Sequence, residues 1–148
     1  GAAAYRFANT ADAMWGYPGL YKGRNWAWAG KWAARADDVL SWLPARITAV
    51  LLLLAAGWNG LSRAGTLAQE AHKTPSPNSG WPMAAMALNL GVALRKPSVY
   101  VLNPQGKPAS AAHTALALRF ASKALLALVV CAQTAMILVA FLSRGISP

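Results

Sequence analysis

Apolar residues fall into blocks along this chain, and the longest uncharged block lies toward its C-terminal end. From Ala124 to Leu142, 19 residues bracketed by Lys123 and Arg144 carry no charge. A simple transmembrane helix needs about 20 such residues, so a helical stretch opening at Ala115 predicts a membrane helix over 115–143. A second uncharged run, Ile47 to Leu61, holds 15 residues between Arg46 and Arg63. It spans only if the flanking arginines reach back to the interface, and a tilted or buried helix is the alternative. Pro44 is expected to start this helix, giving a membrane segment over 44–62 with Trp58 in the interfacial belt. The third run, Met83 to Leu94, has 12 residues and stops at Arg95-Lys96-Pro97. It is too short to cross and suits a re-entrant or interfacial helix within a segment 72–96. Pro97, Pro104, Gly106 and Pro108 predict loop over 97–114.

The first 43 residues have a different texture. Asn9 or Thr10 can cap a short helix that Gly16 and Pro18 end. Trp26, Trp28, Trp32 and Trp42 then alternate with Arg24, Lys31 and Arg35. Trp28, Trp32 and Arg35 stand at i, i+4 and i+7, one face of a helix closed by Asp37 and Asp38. Indole and basic side chains together suit the headgroup zone, so region 1–43 reads as an amphipathic interfacial helix. Stacking on a tetrapyrrole or a base is the sharper alternative. The expected fold is a single all-α domain over 1–148. It is an integral membrane helical protein with about two spanning helices, a short re-entrant or interfacial helix and an N-terminal amphipathic helix.

Composition supports that class: 56% of residues are hydrophobic and only 12% charged, against about a quarter charged in soluble domains. The formal net charge is +10, and the only acids are Asp12, Asp37, Asp38 and Glu70. The basic residues are scattered and several flank apolar runs. They favour an anionic membrane surface or phosphorylated ligands over nucleic acid, for which no binding module is visible. The lone cysteine, Cys131, excludes an internal disulfide and is expected to be a small buried hydrophobe. Gln133 and Thr134 are expected to hydrogen-bond between membrane helices. His72 and His113 have no cysteine near them, which argues against zinc; each reads as a solvated loop histidine or an axial ligand to a metal tetrapyrrole. No phosphate-binding GxxxxGK loop and no nucleophile triad is present. The chain opens on Gly1 with no signal-peptide pattern, so a processed or incomplete N-terminus is expected.

Candidate chemistry gathers in residues 72–86, His-Lys-Thr-Pro-Ser-Pro-Asn-Ser-Gly-Trp-Pro-Met-Ala-Ala-Met. Pro82 fits the first turn of a helix, with Ser79 or Gly80 placed to cap it. The first N–H groups would point back toward Lys73, Ser76 and Asn78, making an anion site; an ordinary capped loop is the other reading. The adjacent Asp37 and Asp38 diverge by about 100° on a helix, so one can pair with Arg35 or Arg46 while the other faces a site.

Three stretches together resemble the CobD/CbiB family, integral-membrane adenosylcobinamide-phosphate synthases of cobalamin biosynthesis. They are Asn9-Thr10-x-Asp12-x-Met14-x-Gly16-Tyr17, Asp37-Asp38 followed by Pro44-Ala45-Arg46-x-Thr48, and Ser76-Pro77-Asn78-Ser79-Gly80-Trp81-Pro82 with Ala84-Ala85-Met86-Ala87. Ala11 replaces the family's usual leucine, Ser41 stands where asparagine is common, and Met83 stands where many members carry glutamate. The resemblance covers the chain to about residue 108 and corresponds to the family's C-terminal half. It implies an ATP- and Mg²⁺-dependent ligase that joins an aminopropanol phosphate to a corrinoid carboxyl as an amide. On that basis Asp12, Asp37 and Asp38 hold metal or position the amine, with Mg²⁺ on Asp37 and Asp38. Asn9, Arg46, Lys73, Ser76, Asn78 and Trp81 bind the phosphate-bearing partner or cofactor, and the tryptophan-rich helix helps seat the macrocycle. The competing expectation is an inactive accessory subunit of a larger membrane complex, a pigment-containing photosynthetic one included. Either implies a bacterial inner membrane or an organellar or photosynthetic membrane, with lipid and other membrane subunits as partners.

Overall fold

The computed structural model describes residues 1–16 and 19–144, so Tyr17 of the first motif and Pro18, expected to end the first helix, lie outside the described residues. The chain is an all-α membrane protein with two small two-stranded ribbons. In order its elements are α1 (Ala2–Trp15), β1 (Leu20–Tyr21), β2 (Arg24–Asn25), α2 (Ala29–Ala55), α3 (Trp58–Leu61), α4 (Ala64–Ala71), α5 (Gly80–Leu90), β3 (Leu94–Lys96), β4 (Tyr100–Leu102) and α6 (Ala111–Arg144). Two of the helices, α2 and α6, are long and apolar enough to cross a membrane.

Pro44 lies inside α2 rather than at its start. The interfacial helix and the first membrane helix expected from sequence are one helix of 27 residues, about 40 Å long. Proline removes a single backbone donor, the one that would reach the Leu40 carbonyl, and a membrane helix flanked by others tolerates that loss. Helix α2 packs against α1, α5 and α6, meeting α1 at Asp37 and Ser41 and the core shared with α5 and α6 at Ala49, Leu52 and Leu53. It ends at Ala55, short of the expected Leu61, because Gly57 turns the chain at φ +67°. Helix α1 starts at Ala2, so Asn9 and Thr10 are interior positions and not caps.

The core lies where α2, α4, α5 and α6 meet, built from Ala49, Leu52, Leu53, Leu67, Ala71, Ala84, Ala85, Leu88 and Ala124. Alanine dominates it, which lets helix backbones approach closely in the manner of membrane-helix interfaces. The polar groups at the helix ends are closed by side chains. Asn89 Nδ2 donates to the Leu52 carbonyl at 2.7 Å, one of the last-turn carbonyls of α2 that lacks a helical partner. Arg63 donates to the Leu88 carbonyl of α5, and Asn103 Nδ2 to the carbonyls of Ala87 and Val92. Gly91, left-handed at φ +64°, ends α5. The expected loop 97–114 gives up β4 to an antiparallel hairpin with β3, which takes the end of the expected helical run, with Arg95 opposite Val101, and its last four residues open α6.

Helix α6 has 34 residues, about 51 Å, and its C-terminal half stands clear of the core. Cys131 is exposed there, not buried as expected, as are the described α6 residues on either side of it. Thr134 Oγ1 donates to the Val130 carbonyl of its own helix at 2.9 Å, instead of bonding between helices. His113 stands in the first turn of α6, where Nδ1 accepts from the Ser110 N–H at 3.1 Å.

Candidate functional site

The start of α5 and the middle of α2 meet through one buried amide. Asn78, 6% exposed, donates from Nδ2 to the Asp38 carbonyl at 2.7 Å and to Asp38 Oδ1 at 3.5 Å. Its Oδ1 accepts from Arg46 at 2.5 Å. The same guanidinium donates to the Pro77 carbonyl at 3.1 Å and to the Trp42 carbonyl at 3.0 Å. It lies between the Trp42 and Trp81 rings, 4.7 Å from each centroid. Arg46 therefore helps hold the loop, with three of its five N–H donors on protein acceptors and its guanidinium against two indoles.

The loop is closed from inside as well. Ser76 Oγ accepts from the N–H groups of Asn78 at 3.3 Å and Ser79 at 3.2 Å, and buried Thr74 Oγ1 lies within bonding distance of the Ser76 carbonyl at 2.9 Å. Helix α5 begins at Gly80 with Ser79 at its cap position, but the Ser79 hydroxyl makes no cap bond. Glycine is required at 80 by space: a Cβ would strike the Ala71 carbonyl and sit 2.5 Å from Thr74 Oγ1.

Beside this clasp lies a cleft of about 290 Å³ lined by Asp37, Asp38, Ser41 and Thr48 of α2, by Ser76, Asn78 and Ser79, and by Tyr5 of α1. Its side-chain oxygens are carboxylate, hydroxyl and amide, and among the described residues no basic side chain lines it. Asn9 Nδ2 donates to Asp37 Oδ1 at 3.3 Å, and Tyr5 and Ser41 share a hydroxyl contact of 3.3 Å. Asp12 completes an acidic group: burial first, and the Asp37 charge second, hold its carboxyl above the usual carboxylate range. A neighbouring hollow of about 400 Å³ is apolar, lined by Val39, Trp42, Pro77 and Asp38.

Of the residues singled out from sequence, Asn9, Asp12, Asp37, Asp38, Ser76 and Asn78 come together here, with Arg46 and Trp81 in support. Lys73 does not join them; its Nζ pairs with Glu70 Oε1 at 2.6 Å. Trp28 and Trp32 lie farther up α2 in a different hollow with Lys31 and Arg35. Met83 Sδ lies 3.8 Å from the Tyr100 hydroxyl, and Met83 is not among the residues lining the cleft. His72 meets Trp81 edge-on, centroids 5.8 Å apart. Sequence reasoning missed Tyr5, which carries no motif signal, and gave no role to Thr48, although it closes the Pro-Ala-Arg motif. Among the described residues no group of three His, Cys, Asp or Glu side chains is placed to hold a metal ion.

Residues 1–129 match the family model described as CobD/Cbib protein. The chain belongs to the CobD/CbiB family. The match runs past residue 108, where the sequence resemblance was expected to end, and takes in the first half of α6. Among similar CobD/CbiB proteins is a "Probable cobalamin biosynthesis protein CobD" from Methanothermobacter thermautotrophicus, 49% identical over 107 residues, which cover 69% of this chain and 34% of that protein. The "Cobalamin biosynthesis protein CobD" of Dehalococcoides mccartyi is 42% identical over 111 residues, 73% of this chain and 34% of its own. That of Halalkalibacterium halodurans is 47% identical over 100 residues, 65% and 30%. The chain thus spans about a third of the length of these CobD/CbiB relatives. No solved structure matches it.

Proposed function

We propose that this chain carries a Mg²⁺- and phosphate-binding part of a CobD/CbiB site that joins an aminopropanol phosphate to a corrinoid carboxyl as an amide, with ATP consumed. The observation that supports this most is the Asn78–Asp38 clasp, which sets hydroxyls at the start of α5 against carboxylates 40 positions earlier. A cleft that offers carboxylate and hydroxyl oxygens suits Mg²⁺, a hard cation usually held by one or two carboxylates plus phosphates and water. Asp37 and Asp38 are the residues that would hold it, and when bound it would neutralise charge on phosphoryl oxygens. Ser76 and Ser79 offer hydroxyls to the phosphate. Asp12, with its raised proton affinity, faces the ammonium of the incoming amine, and Asn9 fixes Asp37. Arg46 and Trp81 act through Asn78 as positioning residues. The hollow at Val39, Trp42 and Pro77 offers an apolar wall to the macrocycle.

A second reading, an inactive accessory subunit of a larger membrane complex, is favoured by the uncovered apolar half of α6 and by methionine at position 83. The experiment is amide formation in native membranes supplied with corrinoid acid, aminopropanol phosphate, ATP and Mg²⁺. Loss of product in Asp38→Asn, with the protein still inserted, is the expected result. Undiminished product in Asp38→Asn would overturn the ligase reading, as would a stable stoichiometric complex that shows no corrinoid chemistry.

A further inference from the structure

Helix α2 is longer than a bilayer core. At 27 residues it measures about 40 Å, against a hydrocarbon thickness of about 30 Å. Even if it fills the hydrocarbon layer, at least about seven residues lie outside that layer, and its charged N-terminal turns are the end that emerges. Those residues carry Lys31, Trp32 and Arg35, with Trp28 just before them.

Trp28 and Trp32 are each 79% exposed, and Lys31 Nζ sits 4.6 Å from the Trp28 ring centroid. The four line one hollow. The preceding β1–β2 ribbon adds exposed Lys22 and Arg24 and the 82% exposed Leu20. No acidic residue occurs between Asp12 and Asp37, and among the described residues none of these four cations forms an ion pair. Indoles that wedge at headgroup depth beside unpaired cations complement anionic headgroups, and not a neutral surface.

We infer that the β1–β2 ribbon and the first two turns of α2 form a docking surface for anionic phospholipid headgroups, which selects the lipid beside the cleft. The surface adjoins the acidic site one to two turns along α2, so its cations also offset the repulsion between the carboxylates and an anionic leaflet. This inference stands on the membrane placement of α2 and does not need the ligase chemistry.

The test places the purified chain in phosphatidylcholine bilayers with trace spin-labelled phosphatidylglycerol or spin-labelled phosphatidylcholine, and reads the ratio of their association with the protein. Each basic side chain near an anionic surface is worth about fivefold in local occupancy. The wild type is expected to prefer phosphatidylglycerol several-fold at low salt, and to lose that preference near 1 M salt, where the screening length is about 3 Å. Lys31→Gln with Arg35→Gln should reduce the preference at least about twofold, while Lys31→Arg with Arg35→Lys should keep it. Arg95→Gln with Lys96→Gln, on the β3–β4 hairpin, removes the same charge elsewhere and should reduce it less. Equal association of both lipids with the wild type would overturn the inference and point to an acidic protein as the occupant. A hairpin pair whose loss matches or exceeds that of the α2 pair would overturn it too.

Discussion

Asn78→Ala tests whether the site is held by one side chain. The substitution removes the acceptor of Arg46 at 2.5 Å and the donor to the Asp38 carbonyl at 2.7 Å. A net hydrogen bond is worth about 0.5–1.5 kcal/mol and one to a charged group about 1.5–3. The two bonds therefore total about 2–4 kcal/mol, with the indoles on either side of Arg46 retaining part of its stacking. For a chain of this size each kcal/mol moves the thermal midpoint by about 2–4 °C, so a drop of about 6–12 °C is expected for the central value. The assay is intrinsic tryptophan fluorescence on heating in detergent, since Trp42 and Trp81 flank Arg46 and report loss of the sandwich directly. Ser79→Ala, whose hydroxyl caps nothing, is the control and should shift the midpoint by no more than about 2 °C. An Asn78→Ala midpoint within that margin would refute the argument that Asn78 ties α5 to α2.

Gly80→Ala should destabilise by about 1–3 kcal/mol, because its Cβ meets backbone at Ala71; chemical denaturation in detergent would show it, and a neutral result would contradict the close approach. Saturating Mg²⁺ should stabilise the wild type by about 2.7 kcal/mol at 100 times its dissociation constant, and should not stabilise Asp37→Asn with Asp38→Asn, as thermal melting will report. Asp12 holds its proton above the unfolded value of 3.8, so the folded state binds more protons and its stability falls as pH rises from about 4 through the raised value. Asp12→Asn should flatten that fall in a melting series across acidic pH; an unchanged profile would remove Asp12 from the acidic group. The isolated 148-residue chain is expected to form no amide, because a productive site needs a rigid supporting shell; product from the purified chain alone would overturn this.

The sequence by itself determined the class and the site's ingredients. Uncharged runs near bilayer length reveal membrane helices because hydrocarbon excludes charge whatever the chain packs against, and α6 follows from that alone. The Asp37-Asp38, Pro-Ala-Arg and Ser-Pro-Asn stretches could be named because their residue types and spacing are local. Position 44 shows where local signals fail. Proline weighs against a helix interior by about 3 kcal/mol, yet contacts with α1 and α5, formed by residues distant in sequence, carry α2 through it. Lys73 and Arg46 show the same limit for chemistry. Both read as phosphate ligands; the fold pairs Lys73 with Glu70, and it sets Arg46 against two indoles, Asn78 and two backbone carbonyls with two of its five N–H groups left over. A side chain's partners depend on which surfaces the fold presses together, and sequence spacing does not encode that. Only the tertiary structure decided that, among the described residues, the acidic cleft is lined by carboxylates and hydroxyls without a basic side chain, and that Asn78 joins its two walls.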